Sequence, residues 1–325
     1  MMDALQWIAA IFADTAARMG RGEGFPIIFG SYMAMMLFER LAYVFEHRGR
    51  PWNEQDARAN VINSLVLAIG EAVVFGGLFI GAYMLVYEHL RLFTVPLVWW
   101  GWLLAFLLND LAYYLDHRLA HRTGLFWAIH TTHHSSREMN LLVANRGTLL
   151  GIGGLMSPMY ILLPLLGVSP AMFLAVKFFG NFWGIFNHTR LVNRMGYLEH
   201  WLCTPANHRV HHGTESKYLD KNYGQTLLIW DRMFGSWQPE EEEPTYGLVS
   251  QMESYRIWDI QTCGLRQLVA RMRAAPRWSD KLRYLWKPPG WSHDGNHQTT
   301  ETLRAAAGDR PDPQDPNARN GQLAA

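Results

Sequence analysis

Eight histidines of this chain fall into three short clusters with the spacing of metal ligands. His117 and His121 stand four residues apart in DHRLAHR. His130, His133 and His134 form an HxxHH array in HTTHH, and His208, His211 and His212 repeat it in HRVHH. On a helix, residues three or four apart share a face, so each cluster can aim two or three imidazoles at one point. Neutral imidazole suits Zn, Cu, Fe and Ni, each accepting roughly four to six ligands, so eight donors predict two ions rather than one. A zinc site, or a set of histidines hydrogen-bonded in a polar core, is the plainer reading of any single one. It does not account for three clusters together. The soluble di-iron carboxylate proteins use Glu-x-x-His on bundle helices, and no Glu here lies three residues before a His. An iron pair in this chain is therefore held mostly by histidine.

Two further histidines adjoin the clusters. His188, in FNHTRL, ends an apolar segment that returns toward them and is expected to be a ninth ligand. His200, in YLEHWL, is read equally well as a structural histidine bonded to Glu199 or to a backbone carbonyl. His293 and His297 have ligand spacing, but the Gly-rich context around Gly295 argues against a helix there, and they are discounted.

The elements that must position these side chains are greasy. Apolar runs at 27–45, 60–87 and 94–115 are each long enough for a spanning helix of about 20 residues, and three such runs within ninety residues exceed what a soluble core needs. A fourth, the hairpin 149–186, contains Pro158, Pro164 and Gly167 and either spans or re-enters. Glu39 and Arg40 near the end of the first run are placed to pair. Asp110 precedes His117 by two helical turns on one face, so it is read equally as orienting a ligand imidazole through its free N–H and as a helix-end Asp exposed at the interface. The basic positions Arg48, Arg50 and Arg58, and then Arg118, Arg122, Arg137 and Arg146, put the loop 46–60 and the region 116–147 on the cytoplasmic side. The fold class expected is all-α. It is a multi-pass membrane helical bundle of about four spanning or re-entrant helices, with a cytoplasmic helical cap carrying a His-rich dimetal site. Residues 1–290 read as one domain and 291–325 as a disordered tail, rich in Gly, Pro, Asn and Asp. Near Leu5–Phe12 a short amphipathic helix is expected, without the basic flank of a secretory signal. PEEEEP at 239–244 reads as a solvated acidic loop. The basic amphipathic stretch 254–273 reads as a helix lying on the membrane surface or packed on the domain.

Bulk properties narrow the function. A net charge of +1 argues against a nucleic-acid binder. Aromatic residues make up 13% with 14 Trp, a usage that suits membrane interfaces. The mean hydropathy of −0.08 averages a greasy first half with a polar second half. Cys203 and Cys263 are far apart and form no CxxC, which excludes a four-Cys iron–sulfur cluster. There is no P-loop, GxGxxG or GxSxG, hence no encoded nucleotide or flavin site.

With its HxxxH, HxxHH and HxxHH motifs in that order, the chain resembles the sterol desaturase/fatty acid hydroxylase family of integral membrane di-iron oxygenases. The wording around them is also similar, in DLAYYLDHRLAH, HTTHHSSREMN, TPANHRVHHG and LDKNYGQTLLIWDRMFGSW, and the likeness covers about residues 95–240. It is nearest in type to alkylglycerol-monooxygenase-like and bacterial sterol-desaturase-like members. Asn207 stands where many relatives have His. This leaves the eight-His core intact and makes Asn207, with Asp110, a candidate catalytic residue. The resemblance implies two iron ions as cofactor, O2 as co-substrate, a membrane lipid as substrate, and hydroxylation or desaturation of an unactivated C–H bond. The two electrons are then expected from a separate donor protein or reductant. A membrane zinc hydrolase using the same ligands, and a metal transporter, are the competing classes.

Overall fold

A computed structural model of the chain describes residues 24–46, 53–74, 78–154 and 157–309, with isolated positions before residue 24. The expected helix near Leu5–Phe12, together with Arg48 and Arg50, lies outside these residues. All regular elements described are helices, and the only pairings of strand type among the described residues are two isolated bridges, Leu202 with Leu227 and Gly213 with Tyr246.

The axis of the molecule is α4 (Trp99–Arg122), which follows α1 (Gly24–Glu46), α2 (Glu54–Val74) and α3 (Ile80–Leu90). Its first half packs Trp102, Ala105 and Ala112 into an apolar core with Phe79 and Tyr83 of the α3 region and Phe173 and Val176 of α6 (Pro170–Phe186). Tyr83 stacks on Phe173 with ring centroids 4.6 Å apart, and its hydroxyl donates to the Val168 carbonyl at 3.0 Å. That bond satisfies the polar tip of a fully buried ring. The second half of α4 leaves this core and carries His117 and His121 into the polar half of the molecule. The helix ends where Thr123 turns extended, and Gly124 opens α5 (Gly124–His134) at once. Glycine is required at that corner, because a Cβ on Gly124 would lie 2.1 Å from the Tyr284 carbonyl oxygen. The α4–α5 corner thus brings the first two His clusters onto adjoining helices.

Over the site lies a cap. α8 (Ile257–Ala274) crosses α5 closely at Gly264, where a Cβ would meet the Ala128 oxygen at 2.2 Å, and α9 (Trp278–Trp286) continues behind it. The basic stretch that could have lain free on a surface is thus packed on the domain by one of its faces. Of the tail expected to be disordered, residues 291–309 are ordered, and 310–325 lie outside the described residues. α10 (Thr300–Ala307) folds back, capped by Thr299, and its Arg304 donates to the Ser216 and Leu219 carbonyls. A polar composition hid this because the anchors are polar side chains, Glu301 bonded to Arg122 among them, rather than an apolar face. The acidic loop is likewise fastened. Arg209 makes a bidentate pair with Glu240 at 2.6 and 2.7 Å, and the Tyr218 hydroxyl accepts from the amides of Glu241 and Glu242.

The apolar runs are built differently from simple spans. The run 60–87 is divided between α2 and α3, and α2 buries Asn60 and Asn63. The outgoing limb of the hairpin is two 3-10 segments, Leu149–Gly154 and Pro158–Ile161, and one α turn, Leu162–Leu165. Pro158 and Pro164 lack the N–H that a continuous helix would use. Among the described residues no helix is long and apolar enough to cross a membrane. The helices Ile80–Leu90 and Pro170–Phe186 are too short, and α2 and α4 carry polar residues within their length. Glu39 and Arg40 do not pair with each other. Glu39 accepts from the Leu141 amide and the Thr189 hydroxyl, each at 2.7 Å, while Arg40 donates to Glu54 at 2.7 Å.

Candidate metal centre

All nine expected ligands come together, in two groups. His117, His121, His130, His134 and His211 form one, and His133, His188, His208 and His212 the other, with ligand atoms inside each group within 4.8 Å of one another. The sequence explains the split. His130 and His134 are four apart on α5 and share a face with each other, whereas His133 projects to the neighbouring side. The same holds for His211 at the end of α7 (Pro205–His211) against His208 and His212.

The rings point their Nε2 atoms inward. His117 and His130 approach at 3.0 Å through Nε2, His130 and His134 at 3.2 Å, His133 and His188 at 3.2 Å, and His188 and His208 at 3.1 Å. Ligands of one ion at about 2.1 Å lie roughly 3 to 3.5 Å from one another, so these separations fit donors that share a metal. The Nε2 atoms of His121, His211 and His212 are buried with no hydrogen-bond partner, and such an atom ordinarily has one. The donor set fits two metal ions of the imidazole-preferring kind.

Five of the outer nitrogens face a protein acceptor. Nδ1 of His117 donates to the Tyr223 carbonyl at 2.8 Å, that of His211 to Lys221 at 2.9 Å, that of His188 to Gly184 at 2.8 Å, and that of His133 to Arg146 at 3.2 Å. His121 Nδ1 faces Asp220 at 3.5 Å. A carbonyl acceptor fixes the proton on Nδ1 and leaves Nε2 as a lone-pair donor. Burial, reinforced by neighbouring imidazoles, lowers the pKa of His130, His134, His208, His211 and His212 well below the usual value. Burial lowers His133 to about 4. The rings are accordingly neutral at pH 7, the form that binds metal. Burial alone would raise Asp220. Its hydrogen bond with His121 and the Arg122 charge outweigh that and hold it at about 2.

One loop supplies much of this support. Asp220 and Asn222 adopt left-handed backbone conformations, at φ 57° and 53°, which Asp and Asn tolerate better than most residues. The turn aims the Lys221 and Tyr223 carbonyls at the histidines. Asn222 stitches it down through Nδ2 to the Asn207 and Gln238 carbonyls, at 3.0 and 2.7 Å, and Asp231 accepts from the amides of Tyr223 and Gly224, both at 2.8 Å. A buried ion pair supports the other side. Arg146 donates to Asp56 at 3.0 Å, to Asn60 at 2.8 Å and to Ser135 at 2.9 Å, while its own carbonyl holds His133.

The side chains of Asp110 and Asn207, the two candidate catalytic residues, have other partners. Asp110 touches no histidine. It accepts from the amides of Thr226 and Leu227 at 3.1 and 3.2 Å and from Trp230 Nε1 at 2.9 Å, so it anchors the chain beyond Tyr223 rather than a ligand. Asn207 completes a capping box at the start of α7, its Oδ1 accepting from the Thr204 amide and hydroxyl at 3.2 and 2.9 Å. That side chain is spent on the helix end. His200 stands apart, bonded to the Tyr197 carbonyl, and His293 and His297 are engaged with Tyr284 and Ser292. Sequence reasoning missed Asp220, Asp231 and the Asp56–Arg146 pair. The LDKNYG wording was the available signal for the first.

Beside the first group lies a cavity of about 180 Å³, reaching His121, His134 and His211 and walled by Trp127, Leu248 and Leu268.

A fatty acid hydroxylase family model matches residues 102–236. Alkylglycerol monooxygenase of Xenopus tropicalis is 34% identical over 263 residues, covering 80% of this chain and 58% of that protein. The Homo sapiens alkylglycerol monooxygenase is 33% identical over 266 residues, with the same coverage of 80% and 58%. Ornithine lipid hydroxylase OlsE of Rhizobium tropici is 31% identical over 138 residues, 41% of this chain and 40% of that one. The chain spans less than two thirds of the length of the monooxygenases it matches. No solved structure matches it.

Proposed function

Because this chain belongs, through residues 102–236, to the fatty acid hydroxylase family, we propose that it is a membrane-bound non-haem di-iron oxidoreductase. It uses O2 and two externally supplied electrons to hydroxylate a lipid, with an alkyl ether lipid as the first candidate substrate and desaturation as the alternative outcome. The observation that carries this reading is the pair of buried histidine groups, five and four strong, with inward Nε2 atoms and no carboxylate among them. The named relatives supply the substrate class.

When bound, the iron pair supplies the O2-derived oxidant that cleavage of an aliphatic C–H bond needs and that acid–base side chains cannot provide. His117, His121, His130, His134 and His211 would hold one ion, and His133, His188, His208 and His212 the other. The chain itself keeps these rings neutral and immobile. The carbonyls of Tyr223, Lys221, Arg146 and Gly184 fix the Nδ1 protons, and the α4–α5 corner and the cap exclude bulk water from the donors. A band of exposed apolar side chains, among them Phe38, Phe45, Leu65, Ile69, Phe93, Leu97, Trp99, Trp100 and Leu103, is larger than a soluble monomer usually shows. It supports membrane integration, with the lipid reaching the site from the bilayer; the cytoplasmic side for the His groups rests on the Arg positions of the sequence alone.

Iron analysis and isotope labelling test this together. The purified protein loaded with Fe(II) is expected to hold about two ions per chain. A lipid alcohol formed from it should carry label from 18O2 and should not form without oxygen or without reductant. A single zinc with oxygen-independent hydrolysis would refute the assignment.

A further inference from the structure

The cap helices α8 and α9 each bury one apolar face and present a second to the outside. In α9, Asp280 and Tyr284 are buried, while Trp278, Leu282 and Trp286, four residues apart and so on one stripe, are 78%, 55% and 59% exposed. In α8, Ile260, Cys263, Gly264 and Leu268 are buried, while Trp258 and Leu265, two turns apart on the opposite side, are 72% and 37% exposed. A surface helix of a soluble domain needs one apolar stripe. Two helices in succession with a second, tryptophan-rich stripe call for something to cover it.

Charge selects the occupant. Residues 256–287 hold eight Lys or Arg against two Asp, a net +6 in a chain whose total is +1. Both acids are engaged locally, Asp259 by Arg266 and Asp280 by Arg283, each at 3.0 Å. Lys281 and Lys287 lie over the rings of Trp278 and Trp286 at 4.9 Å, and Arg256, Arg273 and Arg277 are exposed. Exposed Trp flanked by cations is the chemistry of a membrane–water interface with anionic lipid. A second copy of the chain would bring two surfaces of net +6 together.

The position agrees. Gln261 of α8 donates to Asn63 of α2 at 2.6 Å and accepts from the Leu149 amide at 2.8 Å. Just beyond these contacts α2 exposes Leu65 and Ile69, and Leu149 and Leu150 are exposed beside them. The outer stripe of α8 is therefore continuous with the apolar band of the bundle.

We propose that the outward faces of α8 and α9 form a collar that seats the cap on an anionic bilayer surface. The collar rests on the membrane location proposed above and is independent of the reaction assigned to the metal centre.

The full chain is reconstituted into phosphatidylcholine vesicles with and without phosphatidylglycerol. An environment-sensitive fluorophore is placed at Leu282→Cys or, separately, at Leu103→Cys on α4. Cys203 and Cys263 are both buried, so the added thiol is the one labelled. A label at 282 should be quenched by a headgroup-proximal nitroxide lipid at least about twofold more strongly when phosphatidylglycerol is present, and salt should weaken the effect. Arg277→Glu combined with Lys281→Glu should abolish that dependence without changing the melting temperature. A label at 282 in water while that at 103 is in lipid overturns the collar and leaves the membrane reading standing. The reverse result supports the collar and refutes spanning. Both labels in water refute both. Quenching that follows protein concentration, whatever the lipid, assigns the face to a second copy and overturns the proposal.

Discussion

A histidine becomes a metal ligand through what its other nitrogen does, and for four of the nine rings that partner is a backbone carbonyl. This explains why the nine rings were legible in the sequence and their supports were not. Spacing on a helix marks imidazoles that converge, but every residue owns a carbonyl, so nothing in the letters marks Tyr223, Lys221, Arg146 and Gly184. The partners of Asp110 were hidden for the same reason. Its register with His117 is correct, yet its carboxylate turns to the amides of Thr226 and Leu227 instead. The two aspartates should therefore separate by experiment. Asp220→Asn removes the carboxylate facing His121 and its ion pair with Arg122, and is expected to weaken iron binding about 10- to 100-fold and to lower the melting temperature as well. Asp110→Asn should leave iron affinity near wild type and destabilise by about 1–3 kcal/mol, since an amide must turn its NH2 toward one of three donors. Iron titration paired with thermal melts reads both, and equal effects of the two variants on iron would remove the distinction.

Between elements, the information lies in pairs distant in sequence. Asp56 on α2 and Arg146 in the loop after α5 are both almost fully buried and joined at 3.0 Å, although ninety residues separate them. Removing one partner leaves the other charged and dry. Asp56→Ala should destabilise by about 3–5 kcal/mol in denaturant unfolding, and the double change Asp56→Leu with Arg146→Met by clearly less. An equal loss in both would show that the pair supplies nothing beyond packing. Helix existence was readable from apolar runs, as α1 and α4 demonstrate. Continuity was not, because the run 60–87 is shared by two helices and prolines break the outgoing limb of the hairpin. The part of the tail up to 309 was misjudged because scattered polar contacts tie it down, Arg304 to the Ser216 carbonyl and Glu301 to Arg122 among them. The topology reading makes a separate demand on these elements. Reporter fusions after residues 140 and 250 should both report cytoplasm, and one after residue 90 the opposite face. The joined His clusters allow no result in which 140 and 250 lie on opposite sides.

Across the whole molecule the dominant electrostatic fact is a set of imidazoles kept neutral in a dry interior, which makes the metal-free fold sensitive to mild acid. The sign follows from comparing the two states. Unfolded histidines take up protons near pH 6.5, whereas His133 does so at about 4 in the fold, and His130, His134, His208, His211 and His212 are also lowered well below the usual value. Between these limits the unfolded chain binds more protons, so stability rises with pH there and is flat above. The histidine contribution is whole above pH 6.5 and is lost as pH falls toward 4. The losses of the six rings run in the same direction and accumulate against the small net stability of a folded domain. Asp220, held at about 2, adds its own loss only below pH 4, so the two ranges are separable. Metal-free protein should thus melt progressively lower from pH 7 to pH 5. Iron should flatten that slope, because a bound ring must release its metal before it can be protonated. His211→Ala should flatten it in the metal-free protein by removing one of the lowered groups. A metal-free melting temperature that stays level from pH 7 to pH 5 would mean that the histidines are already solvated, and the closed geometry of the centre would then not hold in solution.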